Sequence, residues 1–120
     1  MCYKKTTAFL VVLLLAGFIK AGAEEKFGIK VYEGAKYDAS LSKTVSESMS
    51  INASCYRTND KIASVVEFYK KQSGFTFMGE TKESAMFKNG NIDITIQNPW
   101  MDMKSGKMMK STLISIVKNL

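Results

Sequence analysis

Between Tyr56 and Gly74 the chain carries a pattern that admits few folds. Ile62, Val65, Val66 and Tyr69 recur at i, i+3, i+4 and i+7, which sets them on one stripe of a helix. So short a helix is marginal alone in water, so the stripe calls for a sheet or a second helix to cover it. The spacing predicts a helix over Asn59 to Gln72. Thr58 is the expected N-cap, with Asn59 as the alternative, and Asp60 complements the positive helix end. Lys70 and Lys71 suit the negative end, and Gly74 supplies the left-handed residue that stops the helix.

The flanking stretches read as strands. Phe27, Ile29 and Val31 alternate with Gly28, Lys30 and Tyr32, and Ile51, Ala53 and Cys55 alternate with Asn52, Ser54 and Tyr56. Such a period of two marks a strand with one buried side. Glu33 to Lys36 reads as a turn. Leu41, Val45 and Met49, spaced by four, predict a shorter helix over about Asp38 to Met49, capped by Asp38 or Ser40. Its serines and threonines oppose that helix, because their hydroxyls compete for backbone partners.

Past Gly74 the punctuation is that of hairpins. Phe75 and Phe77 form one run, Ala85 to Phe87 another, and Asn89-Gly90 is a strong signal for a tight hairpin turn. Ile92, Ile94 and Ile96 alternate with Asp93, Thr95 and Gln97, giving one dry and one wet face. Thr112 to Val117 is apolar on both parities, as befits a central strand covered on both sides. The expected fold is therefore α+β: an antiparallel sheet of four to five strands packed against one main amphipathic helix and a shorter helix.

The start of the chain concerns destination. A basic head at Lys4-Lys5, an apolar run from Ala8 to Phe18 and the small-x-small ending Ala21-Gly22-Ala23 match a cleaved secretory signal. The apolar run is too short for a membrane span, which needs about 20 residues, and Lys20 interrupts it. The reading is a signal peptide over 1–23 and a single domain over 24–120, periplasmic or secreted. Cleavage would remove Lys4, Lys5 and Lys20 and no acid. Of 17 basic side chains, those remaining face 11 acids, so the net charge falls from +6 to +3. That is too little positive charge to suggest nucleic acid as a partner. Cys55 is then the sole cysteine, read as a small buried hydrophobe.

Little in the chain suggests catalysis. It has no histidine, the usual acid–base group near neutral pH, and no Gly-rich phosphate loop, nucleophile elbow or Cys-x-x-Cys pair. No cofactor is expected, and the chain is read as not an enzyme. The stretch Asn98 to Lys110 is the one that invites chemistry. If Ser105-Gly106 forms a two-residue turn, Lys104 faces Lys107, Met103 faces Met108 and Met101 faces Lys110. Met101, Met103 and Met108 then share one face, with Trp100, Asp102 and Met109 on the other. Thioethers suit Cu(I) or Ag(I), so those three methionines are candidate metal ligands. Alternatively Trp100, Met101 and Met109, with Lys104 and Lys107, form a contact surface for an unknown protein or a membrane. Packing alone also accounts for the methionines, and the lysines also guard a sheet edge against aggregation. The chain is expected to be a monomer or a weak homodimer.

Tyr56-Arg57-Thr58-Asn59-Asp60, followed by Val65-Val66-Glu67-Phe68-Tyr69-Lys70-Lys71, resembles a pattern in small exported bacterial proteins of unknown function. In that pattern a turn like Val31-Tyr32-Glu33-Gly34-Ala35 stands upstream, with proline where this chain has Glu33. The resemblance implies a periplasmic or secreted α+β module, and it brings no activity, cofactor or catalytic residue. The function expected from the residues is a non-enzymatic binding or structural module of the cell envelope.

Overall fold

The computed structural model describes residues 24–119, so the expected signal peptide lies outside the described residues. The chain divides between Glu33 and Gly34 into two compact units. In the first, β1 (Glu25–Lys26) pairs antiparallel with β2 (Ile29–Lys30), with Glu25 opposite Lys30. Phe27 and Gly28 close this ribbon with φ of 56° and 79°, the pair of positive φ values that suits a tight hairpin. The strand expected over Phe27 to Val31 is therefore a hairpin with Phe27 in its turn, although Ile29 and Val31 are buried as expected.

The second unit is built on a six-stranded antiparallel sheet. Its strands are β3 (Lys36–Tyr37), β4 (Asn52–Thr58), β5 (Thr76–Glu80), β6 (Ser84–Asn89), β7 (Ile92–Gln97) and β10 (Thr112–Lys118). Their order is β3-β4-β10-β7-β6-β5. A further ribbon pairs β8 (Trp100–Met101) with β9 (Met108–Met109). The class agrees with the sequence, but six strands exceed the expected four to five. The addition at the edge is β3, two residues too short to show any alternation. As its two-sided pattern predicted, β10 is central, hydrogen-bonded to β4 on one side and β7 on the other.

Register places Ile114 beside Tyr56 and Ile96, and Ile116 beside Ser54 and Ile94. Ala85 and Phe87 of β6 extend that face by pairing with Ile96 and Ile94. It is covered by α2 (Ile62–Lys70), whose Val65, Val66 and Tyr69 are buried. The Tyr69 ring sits 6.1 Å from Phe87 and 5.7 Å from Phe75. Each such side chain taken fully out of water contributes about 1.5–3 kcal/mol, enough to hold a helix that could not stand alone.

The helix is shorter than its pattern. Thr58 Oγ1 accepts from the Asp60 N–H at 3.2 Å, and the Thr112 hydroxyl donates to the Asp60 carbonyl at 2.6 Å. Those bonds hold Asn59 and Asp60 in the loop between the end of β4 at Thr58 and the helix. Lys61 stands at the N-cap with no side-chain cap, so neither Thr58 nor Asn59 caps the helix. Gly74, at φ 89°, lies at the end of the turn that follows Lys70.

The helix expected to be minor is the longer one. α1 (Ala39–Met49) has 11 residues against 9 in α2. Asp38 caps it, with Oδ1 accepting the Leu41 N–H at 2.9 Å. Leu41 and Val45 pack over the other sheet face, against Cys55, Leu113 and Trp100. Ser42 and Ser46 face the stretch of the β4 edge that β3 leaves unpaired. Ser42 Oγ accepts the Cys55 N–H at 2.7 Å, and Ser46 Oγ accepts the Ala53 N–H at 3.0 Å. Four helical residues rise about 6 Å and two strand residues about 6.8 Å, so serines one turn apart match alternate strand amides. The hydroxyls that oppose this helix locally therefore complete the strand beside it.

Candidate functional site

Trp100 opposes Met109 and Met101 opposes Met108 in the β8–β9 ribbon. The expected Ser105-Gly106 turn is therefore not formed. The loop Asp102–Lys107 closes instead around Asp102, whose N–H donates to the Lys107 carbonyl at 2.9 Å. Its carboxylate accepts the Lys104 N–H at 3.1 Å and the Ser105 hydroxyl at 3.0 Å. These bonds to an aspartate side chain draw the loop tight and end the ladder before Met103, because such groups offer the backbone local partners in place of a strand. Met101 therefore faces Met108 rather than Lys110, and Met103 lies in the loop.

The methionines are exposed, at 60% for Met101, 50% for Met103 and 55% for Met108. Trp100 is 3% exposed and Met109 packs on the same inner cluster, so these two belong to the interior rather than to an outward contact surface. Lys107 is exposed, while Lys104 Nζ donates to Ser40 Oγ at 2.7 Å, tying the loop to the start of α1.

Between α1 and this loop lies an open apolar groove of 370 Å³. Leu41, Val45 and Met49 form one wall, and Trp100, Met101 and Met103 the other. Strands β7 and β10 provide the floor through Thr95, Gln97, Leu113, Ser115 and Val117. Among the described residues no charged side chain lines it. Met49, 61% exposed, is a methionine of this surface that the sequence reading placed only on a helix stripe.

Around Trp100 and Leu41 the groove adjoins a polar pocket of 330 Å³ lined by Asp38, Ser40, Arg57, Asp102 and Lys104. Asp38 and Arg57 also border a larger cavity of 460 Å³, with Lys36, Tyr37, Thr58, Asn59 and Ser111 on its walls. Arg57 is central to both. Its Nη1 donates to Asp38 Oδ2 at 2.9 Å, and its guanidinium lies 5.4 Å from the Trp100 ring centre, an attractive cation–π placement. The Leu41 N–H foremost, with Arg57 and the charge of Lys104 adding, holds the Asp38 carboxyl below its ordinary range, against an opposing effect of burial.

Comparison with family models, curated proteins and solved structures finds no match. The site therefore rests on its own geometry. Gly34, Arg57, Thr58 and Asn59, drawn from the two stretches that carry the resemblance, line the same large cavity. Sequence reading gave Arg57 no role. The signal was present: Arg57 continues the parity of Ala53 and Cys55, placing a charge on the covered side of a strand.

Catalytic groups are sparse. Cys55 is fully buried, and burial raises its thiol pKa, which keeps it protonated and unreactive. Among the described residues no three His, Cys, Asp or Glu side chains cluster to hold a metal ion, and no helix is long and apolar enough to cross a membrane.

Proposed function

We propose that this chain is a non-enzymatic binding module of the bacterial cell envelope that holds an apolar ligand in the groove between α1 and the β8–β9 loop. The observation that carries the reading is the uncharged groove walled by Met49, Met101 and Met103, all at least half exposed. Flexible thioether side chains adapt their shape to a partner, and an apolar concavity with a few polar floor groups is the usual form of a small-molecule site. The basic head and the small-x-small ending at Ala21–Ala23 support export. The absence of histidine and the buried thiol favour binding over catalysis. The contact surface thus moves from the outer tip of the loop to its inner side.

Uncharged N-phenyl-1-naphthylamine tests this reading. Its fluorescence should rise saturably with the folded protein and quench Trp100, and Met49→Glu with Met103→Glu should abolish both effects. Equal binding by the variant would refute the groove.

A second reading keeps Cu(I) or Ag(I) as ligand, favoured by the direct opposition of Met101 and Met108 with Met103 nearby in sequence. Under reducing conditions it requires uptake that disappears when Met101, Met103 and Met108 become leucine.

A further inference from the structure

We propose that the groove and the polar pocket beside it form one site for a single-chain carboxylic acid, with its tail along Leu41, Trp100 and Met103 and its carboxylate at Arg57 and Lys104. This rests on the groove being a binding surface and adds what kind of ligand it selects.

Three observations lead there. The two depressions share Leu41 and Trp100 as lining residues, so a chain lying in the groove has its end beside the pocket. Charge is segregated between them: among the described residues none lines the groove, whereas Arg57 and Lys104 line the pocket together with Asp38 and Asp102. Arg57 is also prepared to receive an anion. Asp38 engages Nη1 and the Trp100 ring lies 5.4 Å away, and no other acceptor among the described residues holds the rest of its fork. A planar fork of N–H donors matches a carboxylate.

Asp38 and Asp102 balance the charges of Arg57 and Lys104 in the pocket, but their oxygens already have donors. Asp38 accepts from Leu41 and Arg57 through its two oxygens. Both oxygens of Asp102 are likewise engaged, by Lys104 N–H and the Ser105 hydroxyl. Lys36, on the larger cavity that shares Arg57, gives this end of the track an excess of positive charge. An extended peptide fits less well. Its backbone N–H and C=O groups would need partners, and among the described residues the groove offers polar side chains only at Thr95, Gln97 and Ser115. The 370 Å³ volume lies near the low end of the roughly 300–1,000 Å³ range of ligand pockets, which suits one hydrocarbon chain better than two.

Decanoate, decanol and acetate, titrated against the parent protein by displacement of N-phenyl-1-naphthylamine, test the proposal. Decanoate should bind about tenfold more tightly than decanol, the ratio supported by one charge-assisted hydrogen bond, and acetate should not displace the dye. Arg57→Gln, checked for its fold by circular dichroism, should bring decanoate and decanol to equal affinity, and Arg57→Lys should recover part of the preference. Equal affinities in the parent would overturn the carboxylate assignment while leaving the groove as an apolar site. Dye binding without displacement by either ten-carbon ligand would overturn the assignment of a single-chain ligand. Failure of the dye itself to bind, with no direct uptake of decanoate by calorimetry, would overturn both readings.

Discussion

Replacing Ser42 by alanine isolates the contact between α1 and the edge of β4. Ser42 is 3% exposed, and its Oγ accepts the N–H of fully buried Cys55 at 2.7 Å. The same hydroxyl donates to the Asp38 carbonyl at 2.7 Å, but that carbonyl also accepts the Ser42 N–H at 2.9 Å and stays satisfied. The loss therefore falls on the Cys55 amide. A buried donor left without a partner costs about 1–3 kcal/mol, and alanine returns roughly 0.5 kcal/mol through its better helix propensity. The expected net loss is about 1.5 kcal/mol. A domain of this size shifts by about 4–8 °C per kcal/mol, so Tm should fall by about 6–12 °C. Urea denaturation followed by circular dichroism measures the loss, with an unchanged m-value confirming that the folded state keeps its compactness. Ser48→Ala, at an exposed position on the same helix, serves as the control and should be neutral or slightly stabilising. If Ser42→Ala matches that control, the hydroxyl does not support the strand and the account of α1 fails.

The remaining prediction concerns both ends of the pH scale. The Asp93 carboxyl is held below its ordinary range by Asn119 foremost and then Lys88, as Asp38 is by Leu41 and Arg57. Both contribute stability that is present above the unfolded carboxyl value of about 3.9 and is lost as pH falls through their lower folded values. Urea midpoints should drop below about pH 4, and Asp38→Asn with Asp93→Asn should flatten that drop. Cys55 acts at the other end, because burial raises its thiol pKa. Its contribution is complete below the unfolded thiol value of about 8.5 and declines as pH rises through that value, since the unfolded chain alone releases the proton. Cys55→Ala should remove the alkaline decline, and a thiol reagent should label Cys55 of the parent only as fast as the fold opens.

Legibility followed the range over which each feature is decided. The β6–β7 hairpin was visible because a local turn and the alternation of Ile92, Ile94 and Ile96 specify it together. Even there the pairing of Asn89 with Ile92 makes Gly90 and Asn91 the loop residues, and positive φ is needed only at Gly90. The two-sided apolar pattern of β10 likewise announced its place between two strands. Ser42 and Ser46 were misleading because their value lies in the backbone of β4, outside the helix whose propensity they lower. The β8–β9 register was decided by the Asp102 side chain, which counting residues on either side of Ser105-Gly106 could not reveal. Arg57 gained its setting from Asp38, Trp100 and Lys104, which stand far from it along the chain.

The position of β10 also bears on how the sheet is assembled. Of the described strands, the last in sequence is the one to which β4 and β7 are both paired. Before Thr112 to Lys118 are present, β3–β4 and β7–β6–β5 are two blocks with no ladder between them. Each would carry a bare inner edge, and such edges invite pairing with other chains. The strand works as a keystone: placing it joins the halves and removes both edges in one step. Much of the sheet's stabilisation must therefore wait for contacts far apart in sequence, an order that slows folding. Until that segment has arrived, nothing locks the two blocks to each other.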